Sequence, residues 1–156
     1  MTRTLVVFYS RTGHVRTVAK LVADACGADL EEIRDVRPRH GMFGWLRSAR
    51  EARRGDLPEI AALQHDPADY DLVVLGTPVW ASAMASPMRS FLSEQGSRCR
   101  AIATFCTMGG RGGDTALKAM ASLCAKAPVG RMILTDAELK SATLSRKVAD
   151  FVRSFP

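Results

Sequence analysis

Three short stretches of this 156-residue chain carry hydroxyl, glycine and aromatic residues that are suited to binding a ligand. The first covers residues 10–14 (SRTGH), between an apolar run and a helical pattern. Backbone N–H groups at the start of a helix lack internal partners, and the helix dipole adds partial positive charge there. The hydroxyls of Ser10 and Thr12 add donors, and Gly13 lets the backbone approach a bound group, so this turn suits an anion. The alternative is an ordinary helix cap and turn.

The second and third stretches suit a planar ring rather than a charged group. Trp80 offers a flat surface beside small neighbours, and a planar aromatic ligand would stack on it, although a loop tryptophan more often packs onto the fold. The third stretch has four glycines among residues 109–113, which lets backbone groups approach a ring edge. The candidate contacts from these two stretches are Thr77, Pro78, Val79, Trp80, Thr107, Met108, Gly109 and Gly110.

Apolar runs precede all three stretches and predict the elements that position them. Residues 5–9, 71–76 and 101–106 are short apolar runs typical of buried strands, each followed by a helical pattern. About five strand–helix alternations predict a parallel sheet with helices on both faces. Stretches that follow parallel strands share one edge of the sheet, where such folds bind ligands. We also expect the chain to leave the sheet at Pro78, because proline cannot donate to a strand ladder.

A phosphate site, a planar-ring site and a backbone-lined edge together describe flavin mononucleotide (FMN) better than a nucleoside triphosphate. Other ligand motifs are incomplete. A dinucleotide G-x-G-x-x-G motif fails at Thr115, and no phosphate-loop G-x-x-x-x-G-K-[ST] motif exists. A cysteine phosphatase needs five residues between its thiolate and an arginine, whereas four separate Cys106 from Arg111. A receiver domain of the same topology needs acidic residues after the first strand, and this chain has none there.

The overall composition predicts one globular domain over residues 1–156, because 47% of residues are hydrophobic and 24% are charged. No run approaches the roughly 18 apolar residues of a membrane span. The N-terminus lacks a signal-peptide pattern, and no metal-binding spacing is present. We therefore expect a cytoplasmic protein whose cysteines are free thiols. These cysteines are Cys26, Cys99, Cys106 and Cys124.

An arginine-rich insertion at about residues 35–56 carries much of the formal charge of +6. Phe43, Leu46 and Ala49 recur at three-residue spacing, which predicts a short amphipathic helix. Its arginines most often form a solvated face; the alternative is a basic rim that attracts ligand phosphates or an acidic partner. That rim would comprise Arg47, Arg50, Arg53 and Arg54. Nucleic acid is not expected, because no recognised binding motif is present.

The residues of the three stretches resemble the FMN loops of flavodoxin-like proteins, in particular the short bacterial flavodoxin-domain proteins. The similarity lies in residues 9–13 (YSRTG), 76–80 (GTPVW) and 106–110 (CTMGG), and it extends over nearly the whole chain. It implies a three-layer α/β fold with a five-stranded parallel sheet in the order 2-1-3-4-5 and FMN at its carboxyl edge. It also implies that residues 10–15 hold the phosphate, residues 77–80 flank the isoalloxazine and residues 107–110 follow its edge.

Two departures from the family pattern concern the phosphate loop and the charge. Val15 stands where the family commonly has a hydroxyl, and His14 stands where it often has asparagine. One lost hydroxyl donor costs roughly 0.5–1.5 kcal/mol of binding, unless Thr17 or Arg11 compensates. If the site is spoiled, the chain is a scaffold without flavin. Flavodoxins that carry electrons are typically acidic, whereas this chain is basic.

These observations predict an FMN-dependent oxidoreductase that passes electrons from NAD(P)H or a protein donor to a quinone or similar acceptor. The alternative is a flavodoxin-type carrier with no turnover of its own. No side chain stands out as an acid or base, so we name no catalytic residue; the flavin would carry the chemistry. The sequence leaves the donor, the acceptor, the flavin potential and the oligomeric state open.

Overall fold

The computed structural model describes residues 2–156 and contains a six-stranded sheet. Five strands are parallel, in the spatial order β2-β1-β3-β5-β6, and the two-residue β4 pairs antiparallel with β3. Counting only the five long strands, this is the predicted order 2-1-3-4-5, to which the structure adds β4. The strands are β1 (Thr4–Phe8), β2 (Asp29–Glu32), β3 (Leu72–Trp80), β4 (Ala83–Met84), β5 (Ile102–Met108) and β6 (Arg131–Thr135).

Helices cover both faces of the sheet and complete the predicted three layers. One face of β1 packs through Val6 against α1 and α6, where Val18 and Phe151 are buried. The other face packs through Leu5 against α3 and α4, where Phe91 is buried. The helices are α1 (His14–Cys26), α2 (Gly41–Arg54), α3 (Ser86–Gln95), α4 (Gly113–Cys124), α5 (Asp136–Leu139) and α6 (Thr143–Arg153). Within residues 2–156, none of them combines the length and hydropathy needed to span a bilayer.

The path of the chain at Pro78 corrects one prediction. β3 does not leave the sheet there; it continues to Trp80, and Pro78 pairs with Thr107 of β5. The strand tolerates proline because β1 ends at Phe8, opposite Gly76, so Pro78 lies beyond the end of β1. Its missing N–H would face that vacant side and leaves no ladder bond unmade. As a result, β3 reaches further past the sheet edge than the sequence predicts.

The face that α2 turns toward the rest of the protein is polar. Its buried residues are Gly44, Ser48, Glu51 and Ala52. The spacing of Phe43, Leu46 and Ala49 predicts the helix, but Phe43 and Leu46 are exposed. The reason is a buried cation beneath the helix, described below, which requires Ser48 and Glu51 as partners.

Gly76 allows β3 and β5 to pack at the centre of the sheet, and we expect Gly76→Ala to be destabilising. A Cβ at this position would lie 2.2 Å from Cζ of Phe105. Because that ring is fully buried, overpacking should cost about 1–3 kcal/mol of unfolding free energy. Urea denaturation would measure the loss, with Gly110→Ala as the control, since a Cβ there meets nothing within 4 Å. Equal stability of the two variants would contradict this packing.

Candidate functional site

A cavity of approximately 430 Å³ lies at the carboxyl edge of the sheet, where the three predicted stretches meet. Its size is within the range of small-molecule sites. The predicted residues that line it are Ser10, Arg11, Thr12, His14, Val15, Pro78, Val79, Trp80, Thr107, Met108 and Gly109. The other three, Gly13, Thr77 and Gly110, do not line it. The structure therefore brings the stretches together, and the ligand contacts themselves remain predictions.

The turn before α1 presents unpaired backbone donors at the cavity. The N–H groups of Arg11, Thr12, His14 and Val15 donate to no residue within the described part of the chain. Gly13 precedes the helix with φ +102°, a left-handed conformation that favours glycine. These amides and the positive end of the α1 dipole suit a phosphate.

The side chains around this turn either stabilise it or keep a donor free for a ligand. Ser10 Oγ accepts hydrogen bonds from the N–H groups of Gly13 and Arg16, so it stabilises the turn while its own proton remains available. Thr17 does not replace the hydroxyl missing at Val15, because its Oγ1 donates to the carbonyl of Gly13 and it does not line the cavity. Val15 itself is buried in the core.

Of the two residues that could compensate for the missing hydroxyl, Arg11 has a donor without a partner among residues 2–156. Its Nη2 donates to the carbonyl of Gly41 at 3.0 Å, which ties the loop to the start of α2. Its Nε is buried and has no hydrogen-bond partner among residues 2–156. A buried unpaired donor is costly unless a ligand satisfies it. This orphaned N–H and the free amides indicate that the turn fits a phosphate.

The second wall of the cavity is the hairpin formed by β3 and β4. Thr77 is fully buried and structural: its Oγ1 accepts from the N–H of Ala85. The two turn residues, Ala81 and Ser82, have φ values of 51° and 62°. Two successive left-handed residues form the tight turn that matches strand twist, although glycine or asparagine usually occupies it. This turn places Trp80 and Ala81 at the cavity.

Two groups behind the hairpin hold the ring of Trp80 in place. Tyr9 packs edge-on against it, with ring centroids 5.4 Å apart. The guanidinium of Arg39 lies 5.2 Å from its centroid, a cation–π distance. The Tyr9 hydroxyl donates to Asp35, and burial together with this hydrogen bond raises the pKa of Tyr9 well above its usual value. The tyrosine therefore stays neutral and fixed in orientation.

Arg39 is the buried cation that joins this wall to α2. Its guanidinium donates to Asp35 at 3.0 Å and to Glu51 at 2.7 Å, and further bonds reach Ser48 and Ser86. Although burial alone would lower the pKa of Arg39, the hydrogen bond to Glu51 and the two carboxylates raise it. The arrangement keeps α2 beside the cavity, to which Trp45, Ser48 and Ala49 contribute a wall.

The third wall is the end of β5 and the glycine-rich segment after it. Thr107, Met108 and Gly109 line the cavity, and a Cβ on Gly109 would meet only Asp136 at 4.0 Å. The space beside this backbone suits the edge of a planar ring. Cys106 lies behind it, and burial raises the pKa of its thiol to about 12, so it is neither exposed nor ionised as a nucleophile must be. All four cysteines are free, as predicted.

Several site residues were not foreseen from the sequence. Trp45, Ser48 and Ala49 reach the cavity through α2, and Asp136 through the start of α5, where it lies 3.8 Å from His14. The signal for α2 was present, because Trp45 and Ala49 are one helical turn apart and share a face. The long-range partners of Arg39 had no local signal.

A comparison with protein families matches the flavodoxin family model to residues 3–150. Two curated relatives align over 102 residues, or 62% of this chain. NAD(P)H dehydrogenase (quinone) 3 of Rhizobium meliloti is 34% identical, and the NAD(P)H dehydrogenase (quinone) of Trichlorobacter lovleyi is 30% identical. The alignments cover 45% and 49% of those proteins, so the chain spans about half the length of these relatives.

Solved structures share the fold over nearly the whole chain. A flavoprotein from Lactobacillus acidophilus, crystallised in complex with FMN, has a TM-score of 0.73 at 23% identity and covers 90% of this chain and 97% of its own. A crystal structure of a protein from Bacteroides eggerthii has a TM-score of 0.78 at 20% identity, and the match covers 98% of this chain and 97% of that one. At these identities the likeness establishes the three-layer architecture.

Proposed function

The chain belongs to the flavodoxin family, and we propose that it is an FMN-dependent oxidoreductase that passes electrons from NAD(P)H to a quinone or similar acceptor. One observation carries the proposal: the unpaired amide turn, the Trp80 hairpin and the glycine-lined edge of β5 meet at one cavity. The names of the curated relatives support the reaction class. When bound, FMN supplies the redox chemistry, while the protein positions it and tunes its potential.

Each wall has a distinct task in this proposal. The phosphate is bound by the free N–H groups of Arg11, Thr12, His14 and Val15, together with the Thr12 hydroxyl and the Arg11 side chain. Pro78, Val79 and Trp80 flank the ring system, and Tyr9 and Arg39 fix the orientation of Trp80. The backbone of residues 107–109 follows the ring edge and offers N–H and C=O groups at close range. A rigid wall of this kind orients the ring without moving on each turnover.

The role of the basic rim stays a prediction, because its arginines do not line this cavity. Arg47 is engaged by Glu51 and the carbonyl of Arg37. Arg47, Arg50, Arg53 and Arg54 are all absent from its lining. In this proposal, NAD(P)H or a redox protein donates electrons from the side of the cavity where His14 and Asp136 are about half exposed.

An enzyme and a carrier differ in turnover, and this difference tests the proposal. The FMN-loaded protein is expected to oxidise NADH or NADPH with a water-soluble quinone at least about tenfold faster than the same concentration of free FMN. The absorbance of the nicotinamide would be followed with each coenzyme, and a variant unable to bind FMN serves as the control. A flavodoxin-type carrier, which the family membership also supports, would require an added reductase. Rates equal to free FMN would overturn the enzyme assignment in favour of that carrier.

A further inference from the structure

Helix α2 exposes large apolar side chains that no part of residues 2–156 covers. Met42 is 74% exposed, Phe43 86%, Trp45 59% and Leu46 49%. All four lie in the first two turns of a helix that is about 21 Å long, at 1.5 Å per residue. Scattered exposed apolar residues are ordinary, but a cluster on one short helix marks an interaction surface.

The buried residues of α2, which attach the helix to the protein, are Gly44, Ser48, Glu51 and Ala52 and include none of this apolar cluster. The helix is attached through its opposite face, where Glu51 and Ser48 bind Arg39, and through the bond from Arg11 to the carbonyl of Gly41. Because polar groups anchor the helix, packing does not explain why its outer face carries phenylalanine, leucine and methionine.

Cations continue the same outer face toward the end of the helix. Arg50, Arg53 and Arg54 are exposed and form no ion pair with the described residues. The only carboxylate of α2 is Glu51, which is buried under the helix. The outer face thus carries only apolar and positive groups, and Arg53 and Arg54 lie in the last turn, where the helix dipole favours them.

We propose that the outer face of α2 docks on an anionic lipid bilayer, with Met42, Phe43 and Leu46 inserted between head groups and Arg50, Arg53 and Arg54 on lipid phosphates. An interfacial amphipathic helix has this composition, with aromatic and aliphatic anchors beside arginines. Trp45, at the flank, is suited to the head-group level. A second copy of this chain is a poorer occupant, because it would bring two arginine clusters together.

The docked orientation has a consequence for the acceptor, and this step rests on the proposed function. Trp45 and Ala49 of α2 line the ligand cavity, so a helix lying on the bilayer brings the cavity mouth to the membrane surface. A long-chain quinone dissolved in the lipid would then reach the site without leaving the membrane.

Vesicle flotation of the whole protein tests the docking without requiring flavin or turnover. We expect binding to vesicles that mix phosphatidylglycerol with phosphatidylcholine to exceed binding to phosphatidylcholine alone by about tenfold or more, and to weaken with salt. Phe43→Ser/Leu46→Ser and Arg50→Glu/Arg53→Glu/Arg54→Glu should each lower it by at least about tenfold. These side chains are exposed, so the variants should fold, which thermal unfolding would verify.

Matched controls come from exposed residues elsewhere. Leu21→Ser/Leu123→Ser and Lys20→Glu/Lys140→Glu/Arg146→Glu should retain vesicle binding. Absence of binding to anionic vesicles would overturn the proposal, as would binding that both α2 variants retain. If the α2 variants instead abolished a dimer or a complex with an acidic protein, the surface would be a protein interface and the lipid assignment would be wrong.

A second readout separates this proposal from the proposed function. With a water-soluble quinone, the α2 variants should turn over at the wild-type rate. With a long-chain quinone in anionic vesicles, the α2 variants should turn over about tenfold more slowly than the wild type. If no quinone is reduced at all, the proposed function fails while flotation still decides the docking. Equal rates on vesicle-borne quinone would contradict delivery through the bilayer.

Discussion

Replacing Arg39 by methionine is expected to lower the free energy of unfolding by about 3–5 kcal/mol. The substitution keeps most of the side-chain volume but leaves Asp35 without its cation and Glu51 with Arg47 alone, and both carboxylates are at most 9% exposed. The loss should also release α2 from the protein and free the ring of Trp80, since Arg39 contacts both. Urea denaturation followed by circular dichroism would measure the change.

An exposed ion pair supplies the control for this prediction. Arg98→Met removes a 2.8 Å bond to Asp66, whose side chain is 41% exposed, and it should cost at most about 1 kcal/mol. The double variant Arg39→Met/Glu51→Gln should lose less unfolding free energy than the sum of the losses in the two single variants, because each single change already breaks the same ion pair. If Arg39→Met were no more destabilising than Arg98→Met, the buried cation would not hold this region together.

Introducing a carboxylate with Thr12→Glu is expected to weaken FMN binding by about 100-fold or more, equivalent to about 2.7 kcal/mol. The new charge would face the phosphate at the start of α1, where unpaired amides otherwise attract an anion. Thr12 is exposed and lines the cavity, so the fold should be unaffected. Quenching of flavin fluorescence on titration would give the two affinities.

The matched control is Thr115→Glu, which places the same charge in the first turn of α4. That helix also follows a strand of the sheet, and Thr115 is exposed but outside the cavity lining. Its affinity for FMN should stay within about threefold of the wild type, a difference under 1 kcal/mol. Similar losses in both variants would mean that the phosphate is not held at residues 10–15.

The sheet and the meeting of the three stretches could be predicted because their signals are local. Short apolar runs such as residues 71–76 are typical of buried strands, and parallel strands put the segments that follow them at one edge. These features depend on neighbouring residues alone.

The orientation of α2 and the course of β3 could not be predicted because distant residues decide them. Glu51 turns inward only because Arg39 lies beneath it and is held by Asp35 as well. Without that ion pair, the pattern of Phe43 and Leu46 predicts the opposite packing. Pro78 stays in the sheet because β1 ends at Phe8, a limit that the sequence around Pro78 does not contain.

The most direct test of the central claim is a titration of the flavin-free protein with FMN and, in parallel, with riboflavin, which lacks the phosphate. The account predicts quenching of flavin fluorescence that saturates at one FMN per chain, with riboflavin bound at least about 100-fold more weakly because the unpaired amides and Arg11 have no anion to hold. No binding at about tens of micromolar FMN, or equal affinities for the two flavins, would contradict it.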